Sequence, residues 1–337
     1  MQDKSPLRVV AIGGGNGLSA LLQGLKQFAG QSTRKAPALD ITAIVTVTDD
    51  GGSSGRLRRE FDVLPPGDIR NCMVAMSEDS ALLSRLFQYR FKAGRGLKGH
   101  SFGNLFLTAL TEIMGDFPEA VRVSSEVLKI AGRIYPSTAA NVALEATLED
   151  GAKVVGETRI SRSRRPIRRV QLIPRKVPPL EAALAAIAEA DVITLGPGSL
   201  FTSVVPNLLV EGVAAAIQRS AAVRAYFVNL MSQPGETTGF LASDHIRAIH
   251  KHAGNRRFVD YAVVNIRPIT SAVKKRYASQ AAQPVENDIE ALLEMGVKVV
   301  AAGLAQRGDK VRHEPLATAA VVMNLAEEGR RRRVRQP

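Results

Sequence analysis

Tryptophan is absent from this 337-residue chain, and cysteine occurs once, at Cys72. A lone cysteine excludes an internal disulfide and a zinc site built on thiolates. Its apolar neighbours assign Cys72 to the core. Aromatic residues make up 5% of the chain, too few for a surface on which bases stack. No apolar run approaches the roughly 18–20 residues that cross a bilayer. The longest candidate, 204–217, is interrupted by Pro206, Asn207 and Glu211. The start, Met1-Gln2-Asp3-Lys4-Ser5-Pro6, lacks the basic-then-apolar pattern of a secretory signal. A soluble, cytoplasmic protein without a membrane span is the expectation.

The chain carries a net charge of +13, which at first sight suggests nucleic acid. The excess is local. Eight basic residues and no acid lie between 159 and 176, and five more lie between 330 and 335, together the whole surplus. The rest is neutral. Neither patch interleaves aromatics, so no specific nucleic-acid partner is expected, and residues 329–337 are expected to form a disordered basic tail.

An apolar run at 7–12 ends in Gly13-Gly14-Gly15-Asn16-Gly17, after which Leu18, Leu21, Leu22 and Leu25 recur at helical spacing. After a polar loop at 30–37, a second apolar run (41–47) ends in Thr48-Asp49-Asp50-Gly51-Gly52-Ser53-Ser54-Gly55-Arg56. Strand, glycine turn, helix, strand is the opening unit of a doubly wound sheet. Helices are predicted over 69–76, 80–91, 101–114 and 118–130. Residues 142–148 and 153–160, joined through Glu149-Asp150-Gly151, predict a hairpin, followed by an exposed basic strand-and-loop excursion. The βα rhythm then returns, with strands at 192–195, 225–230, 261–265 and 297–302 and helices at 182–188, 208–217, 245–252 and 318–328. The expected fold is a Rossmann-like, doubly wound, mainly parallel α/β sheet with helices on both faces. It forms one nucleotide-binding domain over 7–328, with a basic β-hairpin insertion at about 142–176.

In such sheets ligands sit beyond the carboxyl ends of the strands. The loops 13–17, 48–56 and 196–199 should therefore share one edge, where glycine lets backbone approach an anion. The first loop has Leu18 where a dinucleotide fingerprint needs glycine, and no Gly-Lys-Ser/Thr follows. Glycine for turn shape alone is the alternative. Asp49 and Asp50 suit Mg²⁺, sugar hydroxyls or acid/base work if the backbone turns at Gly51-Gly52; an Asx turn is the other reading. Ser53, Ser54 and Arg56 suit phosphate. Asp68, Arg70 and Asn71 open a helix, where Asp68 also suits an N-cap. His100, beside Ser101 and Asn104, is the acid/base candidate among the histidines; His245, His250 and His252 read as surface residues. Gly196, Gly198 and Ser199 offer a phosphate site at the next helix.

These residues also carry a resemblance. Gly13-Gly14-Gly15-Asn16-Gly17, the run from Val47-Thr48-Asp49-Asp50 to Gly55-Arg56-Leu57-Arg58, and Pro65-Pro66-Gly67-Asp68-Ile69-Arg70-Asn71 strongly resemble the bacterial gluconeogenesis-factor family. His100-Ser101-Phe102-Gly103-Asn104-Leu105, Gly196-Pro197-Gly198-Ser199-Leu200 and Gln233-Pro234-Gly235-Glu236-Thr237 continue the match, in order, across about 7–325. That family belongs to the superfamily of 2-phospho-L-lactate transferases (CofD-like). The resemblance implies binding of a UDP-sugar such as UDP-N-acetylglucosamine, with Glu236 among the ligand residues. It also implies a role in growth on gluconeogenic carbon sources, in cell shape and in wall synthesis. Protein partners in wall synthesis and a homo-oligomer are expected with it. The transferase relatives use Mg²⁺ and a nucleoside-diphosphate adduct, but lack the run Gly51 to Arg56 as it stands here.

Two functions follow as expectations. One is a regulatory protein that binds a UDP-sugar without consuming it. The other is a Mg²⁺-dependent transferase in which Asp49 or Asp50 holds the metal and donors at Gly198 and Ser199 stabilise the leaving group. An NAD-linked oxidoreductase is a third, weaker option, since no hydride-site constellation is visible.

Overall fold

The computed structural model describes residues 5–30, 38–78, 81–255 and 257–335. From the N-terminus, β1 (Leu7–Gly13) leads through α1 (Gly15–Leu25) and a 3₁₀ turn to β2 (Leu39–Val45). Five helices follow: α2 (Gly52–Phe61), α3 (Gly67–Met76), α4 (Ala81–Gln88), α5 (Phe102–Met114) and α6 (Phe117–Val127). Next come β3 (Arg133–Pro136) and an excursion of β4 (Ala143–Leu148), β5 (Lys153–Val155), α7 (Glu157–Ser163) and β6 (Ile167–Ile173). The second half runs α8 (Glu181–Glu189), β7 (Val192–Leu195), α9 (Val205–Leu208), α10 (Val213–Arg219), β8 (Val223–Phe227), α11 (Ala242–His252) and β9 (Tyr261–Asn265). It closes with α12 (Ser271–Ala278), α13 (Ile289–Glu294), β10 (Lys298–Ala302) and α14 (Pro315–Arg335).

Seven strands form one sheet in the order β10-β9-β8-β7-β1-β2-β3, every pair parallel. Both faces are covered, so β1 and β2 read as continuous apolar runs rather than alternating ones; Val9, Ala11, Ile12, Ile41, Ala43 and Ile44 are all buried. Leu18, Leu21, Leu22 and Leu25 bury one stripe of α1, which packs on α3 and α14. The chain winds from β1 outward to β3, then returns and winds from β7 to β10 the other way. The order reverses between β1 and β7, and the loops after those two strands flank the crevice.

Several sequence expectations are corrected. The hairpin forms (β4 with β5, antiparallel), but its second arm stops at Val155 instead of reaching 160. Gly156 turns the chain at φ +100 and α7 begins. β6 then pairs with β4, giving a separate three-stranded sheet. The predicted helix 208–217 is broken into α9 and α10 around Gly212, at φ +78. His245 and His252 are buried, not superficial. The polar loop at 31–37 and the start of the helix predicted at 80 lie outside the described residues.

The basic tail is corrected too. Residues 329–335 continue α14 rather than forming a disordered end; 336 and 337 lie outside the described residues. Asp191, wholly buried, supplies the reason. Its Oδ2 accepts from Arg330 Nη2 at 2.7 Å, and its Oδ1 pairs with Arg333 at 2.9 Å. Arg330 also donates to the Ser5 carbonyl at 2.6 Å. A buried carboxylate needs cations, so the arginine run is drawn in. Among the described residues no single helix is long and apolar enough to cross a membrane; one bent pair, 200–208 with 213–219, passes on length and composition.

Candidate functional site

β1 delivers the chain to Gly14 and Gly15, and Gly15 takes φ +62, a left-handed conformation that glycine adopts without strain. No side chain fits at Gly14: a Cβ there would stand 2.6 Å from Asp68 Oδ2 and 2.8 Å from Thr46 Cγ2. β7 ends in the turn Gly196-Pro197-Gly198-Ser199, anchored by Gly196 N–H donating to the Ile12 carbonyl at 2.9 Å. Gly17 packs directly on that turn. The two βα turns thus meet at the switch point, with the positive end of α1 starting at the crevice.

Beside them opens a cavity of about 610 Å³, within the roughly 300–1,000 Å³ typical of small-ligand sites. Gly14, Gly15, Asn16 and Gly17 form one wall, and Gly198, Ser199, Thr202 and Ser203 another. The loop after β8 forms a third with Asn229, Gln233 and Glu236. That loop is tied to the second wall: Gln233 Nε2 donates to Ser199 Oγ at 2.8 Å, and Asn229 Nδ2 donates to Gln233 Oε1 at 3.2 Å. Tyr226 OH donates to Asn229 Oδ1 at 3.1 Å from inside the sheet. The polar side chains are thereby held in place before any ligand arrives.

Three carboxyls from three elements reach the cavity: Asp68 at the start of α3, Glu157 at the start of α7, and Glu236 after β8. Burial pushes Asp68 up to about 7, helped by the neighbouring charge of Asp49 and opposed by the Gly15 N–H. Burial likewise lifts Glu236 to about 7, although Thr202, Ser161 and backbone N–H groups pull it back. Glu157 rises furthest, to about 9, through burial and then the charges of Asp49, Asp68, Glu236 and Asp50. Glu236 Oε1 accepts from Thr202 Oγ1 at 3.2 Å and Ser161 Oγ at 3.4 Å, while buried Oε2 has no hydrogen-bond partner. Burial favours the protonated form of all three, so they can donate to as well as accept from the hydroxyls of a polyol.

The other residues singled out in the sequence go elsewhere. Asp49 and Asp50 part company. Asp49 Oδ1 closes an Asx turn on Gly51 N at 2.8 Å, and its pKa is raised by burial despite the Ser54 hydroxyl. Asp50 Oδ1 accepts the Thr158 N–H at 2.8 Å, capping α7, so of the two sequence readings the Asx turn is the one Asp49 forms. Among the described residues no three His, Cys, Asp or Glu side chains gather to hold a metal ion. His100 is buried, its Nδ1 3.0 Å from Ser53 Oγ, and its pKa is lowered by burial and then by Arg56. Asn104 Nδ2 donates to Ser54 Oγ at 3.4 Å, and Ser101 Oγ caps α5. These four, with Ser53, brace α2 against α5 behind the cavity. Arg56 Nη2 donates to the Lys98 carbonyl at 2.9 Å. Gly13 and Gly196 are not in the cavity lining, and Arg70 and Asn71 line a second, adjoining cavity.

Sequence reasoning missed Glu157, Ser161, Asn229, Tyr277, Arg312 and His313, all in the cavity wall. Asn229 was findable, since it follows a strand at the same sheet edge. Glu157 and Ser161 flank or sit within the basic stretch, whose charge hides them, and nothing local marks the last three.

The chain matches the family model described as 2-phospho-L-lactate transferase CofD over residues 9–305. It is 46% identical to the gluconeogenesis factor of Halalkalibacterium halodurans over 316 residues, covering 94% of this chain and 95% of that one. It is 44% identical to the gluconeogenesis factor of Bacillus subtilis over 322 residues, covering 95% and 98%. A crystal structure of a Bacillus halodurans protein superposes with a TM-score of 0.90 at 45% identity, covering 95% of this chain and 100% of that one.

Proposed function

Because the chain belongs to the gluconeogenesis factor family, within the wider 2-phospho-L-lactate transferase CofD family, we propose that its switch-point cavity binds a UDP-sugar and that the protein regulates through that binding. One observation carries the reading: two glycine turns meet at the sheet's reversal beside the start of α1, with the hydroxyls of Ser199, Thr202 and Ser203 and the carboxyls of Asp68, Glu157 and Glu236 in the same cavity. The turns suit a diphosphate, because backbone N–H groups and a helix N-terminus favour anions. Asp68, Glu157 and Glu236 suit the hydroxyls of ribose or sugar. Uridine and N-acetylglucosamine rest on the family resemblance. In this reading the loaded state is sensed by protein partners of wall synthesis during growth on gluconeogenic carbon.

A Mg²⁺-dependent transfer is the second reading, favoured by the charge of Asp49, which raises the neighbouring Asp68 carboxyl. A divalent cation between such carboxyls would relieve their repulsion. Asp50, engaged on α7, is not part of it.

Thermal unfolding with UDP-N-acetylglucosamine, UDP-glucose, GDP and NAD, each with and without Mg²⁺, tests both readings. A ligand at 100 times its Kd stabilises by about 2.7 kcal/mol. A shift with UDP-sugars that are recovered intact by chromatography supports the regulator. Ligand breakdown, or a shift with GDP and Mg²⁺ alone, overturns it in favour of the transferase.

A further inference from the structure

The stripe of α1 opposite its buried leucines is mainly polar: Asn16, Ser19 and Gln23 around the small Ala20, with Lys26 just beyond the helix. The spacing i, i+3, i+4, i+7 places them on one face. That face looks across a groove to Arg70 and Asn71 on α3, and residues 306–315 close it, leaving a cavity of about 570 Å³. Among the described residues three cations line it, Lys26, Arg70 and Arg312, and no carboxylate does. It shares Asn16, Ala20, Arg312 and His313 with the first cavity, whose wall holds Asp68, Glu157 and Glu236. Charge changes sign across one shared wall.

Arg70 is the sharpest sign of a missing anion. It is 8% exposed, yet among the described residues its guanidinium donates only to the neutral Phe87 carbonyl, at 3.5 Å, and Asn71 Oδ1, at 2.7 Å. Its Nε has no hydrogen-bond partner. Asp68 and Asp49 act on it through space only, and burial with the charge of Arg90 works against its protonated form. A buried cation without a carboxylate in contact is costly. Lys26 is likewise held by a neutral group, the Ser77 carbonyl at 3.0 Å.

We propose that this second cavity binds a phosphate dianion, free or carried by a small hydroxylated metabolite, beside the nucleotide-sugar cavity. Lys26, Arg70 and Arg312 meet the phosphate, and the amides of Gln23, Asn71 and Gln306 are available to hydroxyls. Occupancy would be felt next door through Asn16, at the start of α1.

The test is calorimetric titration of the full chain with inorganic phosphate, glycerol 3-phosphate and fructose 6-phosphate, with glycerol as the uncharged control. Each is titrated alone and then with saturating UDP-N-acetylglucosamine. Because the phosphates are titrated alone first, the result stands whether or not the nucleotide sugar binds. Binding of the phosphates but not glycerol is expected, weakened about tenfold or more in Lys26→Gln, the size of a lost hydrogen bond to a charged group. Arg312→Gln, at an exposed position, should weaken it similarly and serves if Lys26→Gln fails to fold. Esters binding more tightly than inorganic phosphate would identify a metabolite site, and equal binding a site for free phosphate. Absence of binding by every phosphate overturns the proposal. So does binding that UDP-N-acetylglucosamine abolishes and neither variant weakens, which would place the anion in the first cavity.

Discussion

A Cβ on Gly17 would stand 2.4 Å from the Pro197 carbonyl oxygen and 2.8 Å from Gly198 N. The two turns that build the cavity therefore touch through a gap that only glycine leaves open. Nothing flexible is available to give way, since the opposing atoms are backbone.

Gly17→Ala should consequently push the turns apart. Overpacking of this kind costs about 1–3 kcal/mol, read as a lowered urea midpoint with an unchanged slope. The ligand effect should be the larger one, because both walls shift: the thermal shift with UDP-N-acetylglucosamine is expected to vanish in a protein that still folds. A retained shift would mean that the ligand does not use these turns.

Asp191 and its arginines give a prediction about stability alone. Ending the chain after Gly329 would remove both Arg330 and Arg333 and leave a wholly buried carboxylate with only the Arg8 N–H, at 2.8 Å. Breaking a buried pair by removing one side costs about 3–5 kcal/mol. The truncated chain should lose that much in urea unfolding, whereas Arg331→Ala, on an exposed ion pair, should change little. Equal stability of the truncated and full chains would show the arginine run to be dispensable to the fold.

The contrast between these sites explains what was legible beforehand. The strands 192–195 and 261–265 were read correctly because burial on both faces makes parallel strands short, uniform apolar runs. α2 was not, because Gly52, Ser53, Ser54 and Gly55 are poor helix formers. That helix rests instead on tertiary contacts: Ser53 Oγ lies 3.0 Å from His100 Nδ1, and Ser54 Oγ accepts from Asn104 Nδ2 at 3.4 Å. The arginine run looked solvated for the same reason, since its partner Asp191 is brought near only by the fold. The glycine turns of the cavity were found because their chemistry is local. His100 stands out by its loop of glycine, serine and asparagine, and its contact with Ser53, 47 residues away in sequence, fits the orienting role that such a loop also allows. Glu157 is not marked locally, because its raised pKa comes from burial and from four acids distant in sequence, Asp49, Asp68, Glu236 and Asp50.

Those acids make the last prediction one of pH. A carboxyl raised by folding binds its proton more tightly in the native state, so stability falls as pH climbs from the unfolded value, about 4, to the folded one. Asp68 and Glu236 complete this loss near pH 7, and Glu157 near pH 9. Below about 6.5, His313, lowered to about 4 by burial, acts in the opposite sense and raises stability with pH. The readable window therefore runs from about 6.5 to 9, where each such group contributes a slope of at most about 1.4 kcal/mol per pH unit. Urea unfolding across this window should show stability declining with pH. Glu236→Gln should flatten the curve near pH 7 only, and Glu157→Gln should flatten it up to pH 9. If the nucleotide sugar is held by the protonated carboxyls, its affinity should decline over the same range, and Glu236→Gln, which keeps a donor, should retain binding at high pH better than Glu236→Ala. A pH-independent affinity in all three proteins would remove the carboxyls from ligand recognition.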